Sequence, residues 1–212
     1  MTSSKVTLSP EEWALVSNPD IILTKNAVID KVYHLLGMAA EQYSRKTAEL
    51  PEKLKGDWLQ AAAKISRGEQ YLGLPWVMLD YPRHFAVGDT KAIRSFFWWG
   101  HGFSLHLILQ GKYREQWIKN ADDWLQKGAD NWYIDLATDP WQHHFRAETC
   151  MPIRKVSAQA VTSHSFVKYS CWFPMEAWNE IPALWENIFQ QWIRIPEESD
   201  MGEQLFATQA ME

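Results

Sequence analysis

Cysteine is scarce in this chain of 212 residues: only Cys150 and Cys171 occur, and neither belongs to a C-x-x-C pair. A small disulfide scaffold needs several cysteines, and a zinc knuckle needs closely spaced pairs of them. The sequence therefore argues against both classes. We expect two reduced thiols in a cytoplasmic protein.

Long apolar runs are also missing. The most apolar stretch, 96–109, is interrupted by two glycines and two histidines, and the polar residues 1–10 lack the apolar core of a signal peptide. We therefore expect no membrane association, which again favours a cytoplasmic location.

Basic residues form no cluster. Lys and Arg total 21 against 26 Asp and Glu, so the net charge is −5. A surface that binds nucleic acid needs a basic stripe to displace the counterions of the phosphates. We expect no nucleic-acid partner.

Recognisable catalytic motifs are missing too. The chain has no H-E-x-x-H and no G-x-S-x-G, which are typical of zinc proteases and of hydrolases with a serine nucleophile. The sequence leaves open whether the protein is an enzyme, and it indicates no cofactor.

Tryptophan, by contrast, is abundant, with 13 residues in 212. Large aromatic side chains dominate packed cores, and they also line pockets for flat or apolar ligands. The composition favours an aromatic core, and a small-molecule pocket is the alternative.

The hydrophobic pattern predicts an α+β protein with a mainly antiparallel sheet of about five or six strands packed on N-terminal, middle and C-terminal helices. Start signals at Ser9, Asn18 and Pro51 predict three helices in the first 65 residues. We expect a single domain over 1–212, and its parts are a helical layer (1–65), the sheet with one inserted helix (66–173), a C-terminal helix (174–195) and a flexible tail (196–212). The predicted strands are 74–81, 92–99, 103–113, 132–136 and 166–173.

The clearest strand pair flanks Gly100-His101-Gly102, a predicted three-residue hairpin loop. Such a loop places Trp99 opposite Phe103. The same register gives one apolar face, which we expect to meet the helices, with the pairs Phe97–Leu105 and Ile93–Leu109. The other face combines aromatic side chains with an imidazole and a guanidinium, in the pairs Trp98–Ser104, Phe96–His106 and Arg94–Ile108.

This mixed face is the candidate site, because large aromatic side chains on a sheet surface usually have a cover. The irregular segment 139–163, the C-terminal helix, a second subunit and a ligand are the four possible covers. We predict a small-molecule pocket between this face and the C-terminal helix. Its expected ligand-binding residues are Arg94, Phe96, Trp98 and His106, with Arg83 and His84 at the rim. The simpler interpretation pairs Arg94 with an acidic side chain and leaves His106 as a hydrogen-bonded core histidine.

Two other functions stay open. A metal-dependent enzyme would draw its ligands from a cluster of residues that matches no known ligand spacing: His84, His101, His106, His143 and Asp139. A non-catalytic interaction protein would form a homodimer through the stripe Trp178, Trp185 and Trp192, which otherwise seats the last helix on the sheet.

Overall fold

The computed structural model of the protein describes residues 6–195, apart from the side chain of Lys53. The helices are α1 (Pro10–Val16), α2 (Pro19–Ala48), α3 (Lys112–Ile118), α4 (Ala121–Gln126), α5 (Ala158–Thr162) and α6 (Ile181–Trp192). The strands are β1 (Lys64–Tyr71), β2 (Leu74–Ala86), β3 (Asp89–Trp98), β4 (Gly102–Gln110), β5 (Tyr133–Asp135), β6 (Cys150–Pro152) and β7 (Phe166–Phe173). The predicted flexible tail, 196–212, lies outside the described residues.

The seven strands form one antiparallel sheet in the order β1-β2-β3-β4-β7-β5-β6. The prediction of an α+β fold with a mainly antiparallel sheet is confirmed. The first four strands follow one another as a meander, and β7 returns to pair with β4. Consequently the centre of the sheet is made by β3, β4 and β7.

The first two helices begin where their capping residues predict. Ser9 and Glu12 form a reciprocal capping box at α1, and the Asn18 side chain accepts a hydrogen bond from the backbone of Asp20 at α2. In α2 one stripe of residues is buried in the core: Ile29, Val32, Leu36, Ala39 and Tyr43. This stripe starts only in the middle third of the helix.

The predicted third helix is wrong. After Pro51 the chain makes two short 3-10 turns, Glu52–Leu54 and Asp57–Leu59, and then enters β1, a strand that was not predicted. Gly56 interrupts the helical run between the two turns, and β1 is largely exposed at the edge of the sheet. An edge strand with little buried surface has little apolar alternation to detect.

The hairpin between β3 and β4 is confirmed, but its register differs from the prediction. Trp98 pairs with Gly102 and Phe97 with Phe103, which moves each predicted pairing by two positions. A shift of two residues keeps every side chain on its predicted face, because the side-chain period of a strand is two. Arg94 now lies directly opposite His106.

The apolar face of the sheet packs against the helices and forms the core. Trp185 and Trp192 of α6 are fully buried there, and Trp185 meets the ring of Phe103 at 5.8 Å. Trp178 is half-buried and touches Phe97 and Phe103 from the same side. The tryptophan stripe therefore seats the last helix on the sheet of its own chain.

Candidate functional site

The second face of the sheet is covered by the irregular segment between β5 and β6. Residues 141–145 of this segment lie over β3, β4 and β7, with contacts from Trp141, His143 and Phe145. The expectation that the C-terminal helix covers this face is wrong, since α6 packs on the opposite one. We call residues 141–145 the covering segment.

Two buried ion pairs lie beneath the covering segment. Arg94 forms a bidentate pair with Asp80, at 2.7 Å from Nε to Oδ1 and 2.9 Å from Nη2 to Oδ2. Lys168 donates to Asp135 at 3.0 Å and also to the carbonyl oxygen of Gln142. Each cation has its own carboxylate, so the cluster as a whole carries no uncompensated charge.

His143 of the covering segment is held by the first ion pair. Its Nε2 lies 2.7 Å from Nη1 of Arg94. A guanidinium can only donate, so Nε2 accepts and the ring proton of the neutral imidazole is on Nδ1. That Nδ1 is buried and has no hydrogen-bond partner within residues 6–195. Burial, then the neighbouring His106, Lys168 and Arg94, hold the pKa of His143 well below its usual range.

His106 lies in the middle of β4 and is hydrogen-bonded on both sides. Its Nε2 is 2.8 Å from Oγ of Ser104, and its Nδ1 is 2.8 Å from Oγ of Ser170. Burial, and after it the cations Lys168 and Arg94, keep the pKa of His106 well below its usual value. The ring is therefore neutral at physiological pH.

Tyr71 fixes the neighbouring part of the covering segment. Its hydroxyl oxygen accepts from the backbone N–H of His143 at 2.7 Å and lies 2.9 Å from Nδ1 of His144. The tautomer of the His144 imidazole sets the direction of this second hydrogen bond. The covering segment forms no backbone hydrogen-bond ladder with the sheet, and side chains of the sheet hold it in position.

A pocket of about 470 Å³ opens at the hairpin end of this face. Its walls on this face are mainly aromatic and come from β3, β7 and the covering segment: Phe96, Trp98, Phe145 and Trp172. Ser104, His143 and His144 supply its inner polar groups, and the exposed His101 stacks on Trp98 at 3.6 Å between ring centroids. A pocket with apolar walls and few placed polar groups is the usual form of a small-molecule site.

The tryptophans of the pocket offer ring surface rather than donors. The indole N–H of Trp98 donates to the carbonyl of Tyr71 at 3.1 Å, and that of Trp172 donates to the carbonyl of His143 at 3.2 Å. Because both polar ends are satisfied within the protein, these side chains present edges and faces of their rings to the pocket.

The Ser104–His106 contact does not make a strong nucleophile. A serine needs a base that becomes protonated as it takes the hydroxyl proton. His106 would then carry a charge in a buried site next to Lys168 and Arg94, which is why its pKa is low. The arrangement favours binding through neutral groups over nucleophilic chemistry.

The six predicted site residues separate into three groups. Phe96 and Trp98 line the pocket. Arg94 and His106 lie beneath it in the polar cluster, with the partners that the simpler interpretation gives them. The other two are remote: Arg83 donates to the carbonyl of Ala62, and the His84 ring contacts Tyr113 of α3 on the helix side.

Several site residues were missed by the sequence analysis. In β7, Lys168, Ser170 and Trp172 alternate with the core residues Val167, Tyr169 and Cys171. That alternation is typical of a strand with one polar face, and the sequence alone contains it. His143 was not predictable as part of the pocket, because its segment has no periodic pattern.

Within residues 6–195, no group of three or more His, Cys, Asp or Glu side chains is placed to hold a metal ion. The histidines of the proposed metal cluster are divided between the two faces of the sheet, with His84 on the helix side and His106 and His143 on the other. No geometric observation on these residues therefore favours the metal-dependent alternative.

A second pocket, of about 380 Å³, lies between the ends of α2, α4 and α6. Its lining is rich in long polar side chains, such as Lys46, Gln190 and Gln191, and reaches Ile195, the last described residue. None of the candidate residues from the sequence falls there.

No helix in the described part of the chain is both long enough and apolar enough to cross a membrane. No known protein family, curated protein or solved structure matches this chain.

Proposed function

We propose that this protein binds a small, largely apolar and uncharged molecule in the aromatic pocket between the sheet and the covering segment. The observation that carries the proposal is the pocket of about 470 Å³ with aromatic walls over a fixed, neutral polar cluster. A rigid polar floor can orient a ligand, while the rings supply most of the contact area.

The expected ligand class follows from the charges. Arg94 and Lys168 are each paired with a carboxylate, and the pKa values of His106 and His143 are lowered. These four groups leave no free charge to compensate a charged group on a ligand, and burying an unpaired ion is costly. A flat ring system with a hydroxyl or carbonyl group fits the aromatic walls and the hydroxyl of Ser104.

Fluorine NMR of protein labelled with 5-fluorotryptophan tests this proposal directly. Trp98→Phe and Trp172→Phe assign the two pocket resonances, and Trp13→Phe assigns an exposed tryptophan that does not line the pocket. We expect 2-naphthol, an uncharged bicyclic probe, to shift the Trp98 and Trp172 signals and to leave Trp13 unchanged. The anionic 2-naphthoate has the same ring system and is expected to bind more weakly.

Phe145→Ala and Phe85→Ala form a matched pair for the same measurement. Both phenylalanines are about half exposed and both contact a tryptophan ring, but only Phe145 lines the pocket. Loss of the pocket ring is expected to weaken probe binding about fivefold to tenfold. Unmoved Trp98 and Trp172 signals, or equal losses in the two variants, would contradict the proposal.

The two alternatives gain no support at the sites where they were predicted. The metal-dependent enzyme has no cluster of ligands within residues 6–195. The tryptophan stripe is used inside the chain, with Trp185 and Trp192 fully buried. A homodimer would need a different surface.

A further inference from the structure

The N-terminal helices form the least buried part of the described chain. No residue from 6 to 28 is buried, and the first buried position of α2 is Ile29. Lys25 pairs with Glu69 of β1 at 2.8 Å, so the part of α2 that extends beyond the sheet is residues 19–24, a length of about 9 Å. Together with α1 they form a projecting helical pair.

This projecting pair is apolar on its surface. Six large hydrophobic side chains are between 42% and 65% exposed: Trp13, Leu15, Val16, Ile21, Ile22 and Leu23. Single exposed hydrophobic residues are ordinary, but six of them within residues 13–23 indicate an interaction surface. We call these six residues the N-terminal apolar surface.

The low local stability of α1 also indicates that this helix packs against a partner. An isolated helix shorter than about 12 residues is marginal in water, and α1 has 7 residues, none of them buried. Its capping box fixes the start of the helix but does not by itself make so short a helix stable. Burial of Trp13 and Val16, which lie three residues apart on one side of α1, would supply the missing stabilisation.

We propose that the N-terminal apolar surface is the interface of a homodimer, in which the projecting helical pairs of two copies pack together as four helices. The apolar residues 21–23 are consecutive, so they point in three directions around α2, and one flat partner surface cannot cover them all. In a dimer with a two-fold axis, the helical pair of the second copy packs against that of the first. Each copy then contributes the same apolar residues to the interface.

The size of the surface fits this occupant. The six residues, each between 42% and 65% exposed, present on the order of 700 Å² of accessible surface, close to the roughly 800 Å² that each partner buries in a stable complex. The charges around it disfavour other occupants. Glu11, Glu12 and Asp20 border the surface at the two helix starts, and their charge repels both anionic lipid headgroups and nucleic acid.

Sedimentation velocity on the full chain, at low and high micromolar concentration, tests the proposal. We expect the wild-type protein to be a dimer. Ile22→Glu places a charge in the centre of the interface and is expected to raise the dimer dissociation constant about 100-fold, as loss of a central interface contact does.

Met38→Glu is the matched control, because Met38 is 55% exposed on the same helix but lies outside the N-terminal apolar surface. It is expected to leave the dimer intact. Circular dichroism and urea unfolding of each variant show that the fold is kept, and Trp13→Glu provides a second change within the surface in case Ile22→Glu alters the fold.

A monomeric wild type at high micromolar concentration overturns the proposal. So does a dimer that both Ile22→Glu and Trp13→Glu leave unchanged, since it would use another surface. Binding of monomeric wild type to vesicles of neutral phospholipid would also overturn it and would assign the surface to a membrane. None of these outcomes touches the aromatic pocket, which is tested separately.

Discussion

At the scale of the single residue, Arg94 organises the polar face of the sheet. Its guanidinium holds Asp80 with two hydrogen bonds and His143 with a third, and Trp141 lies 5.3 Å over it. One side chain thus joins β2, β3 and the covering segment. The wall of the pocket depends on a residue that does not line it.

Arg94→Met is expected to destabilise the protein by about 3–5 kcal/mol, because it leaves Asp80 buried without its partner. Urea unfolding measures the change. The matched control is Arg67→Met, which removes an exposed pair with Asp30 whose side chains are 61% and 68% exposed and which should cost less than about 1 kcal/mol. Similar losses in the two variants would show that burial of the pair does not matter.

Arg94 and His106 show how much of the site could be predicted from the sequence. The alternation of β3 and β4 correctly placed Arg94 and His106 on one face, and this survived a wrong register because the shift was by two residues. Their partners were not predictable. Asp80 lies on β2 at a position set by long-range pairing, and His143 belongs to a segment that is held by hydrogen bonds between side chains rather than by a pattern.

At the scale of the element, the strands that were predicted correctly are the buried ones. The prediction for β7 matches its observed bounds, and those for β3 and β4 lie within three residues of theirs. β2 begins where it was predicted to begin but continues to Ala86, five residues past its predicted end. The exposed edge strand β1 and the three-residue β6 were missed. A strand that is buried on both faces needs an apolar sequence, whereas an edge strand is specified mainly by the neighbour that it pairs with.

Two glycines in different elements should respond oppositely to alanine. Gly102 begins β4 with φ of 105°, and a Cβ there would run into the carbonyl oxygen of Phe173. Gly37 lies in the middle of α2, where a Cβ would meet no atom of the other described residues within 4 Å. Gly102→Ala is expected to cost about 1–3 kcal/mol, whereas Gly37→Ala should stabilise the protein by about 0.5–1 kcal/mol.

Urea unfolding of both alanine variants checks these signs. A stable Gly102→Ala protein would mean that the turn relaxes to accept the side chain. A destabilised Gly37→Ala protein would mean that α2 has a neighbour on that side, for which the N-terminal dimer gives no reason.

At the scale of the whole molecule, the polar cluster makes stability depend on pH. The pKa values of His106 and His143 are well below their usual range in the folded protein, whereas in the unfolded chain histidine takes up a proton below about pH 6.5. The unfolded state therefore binds more protons as the pH falls. The contribution of these two histidines to the free energy of unfolding is expected to be constant above about pH 7. Below about pH 6.5 their protonation in the unfolded chain is expected to lower the free energy of unfolding.

Urea unfolding between neutral and mildly acidic pH measures this slope. His106→Gln removes one of the two groups, so its unfolding free energy should fall less steeply with pH than that of the wild type. His34→Gln makes the same change at an exposed histidine and should leave the slope unchanged. Equal slopes in all three proteins would show that the buried histidines do not control the acid response.

The covering segment forms one wall of the pocket. Its residues over the pocket are held to the sheet by hydrogen bonds from a few side chains rather than by a strand ladder: Arg94, Lys168, Tyr71 and Trp172. Local opening of this segment and emptying of the pocket are then one linked equilibrium. Any molecule that occupies the pocket closes the segment by mass action, in proportion to the logarithm of its concentration relative to its dissociation constant. The degree to which the covering segment is closed therefore measures the fraction of pockets that are occupied.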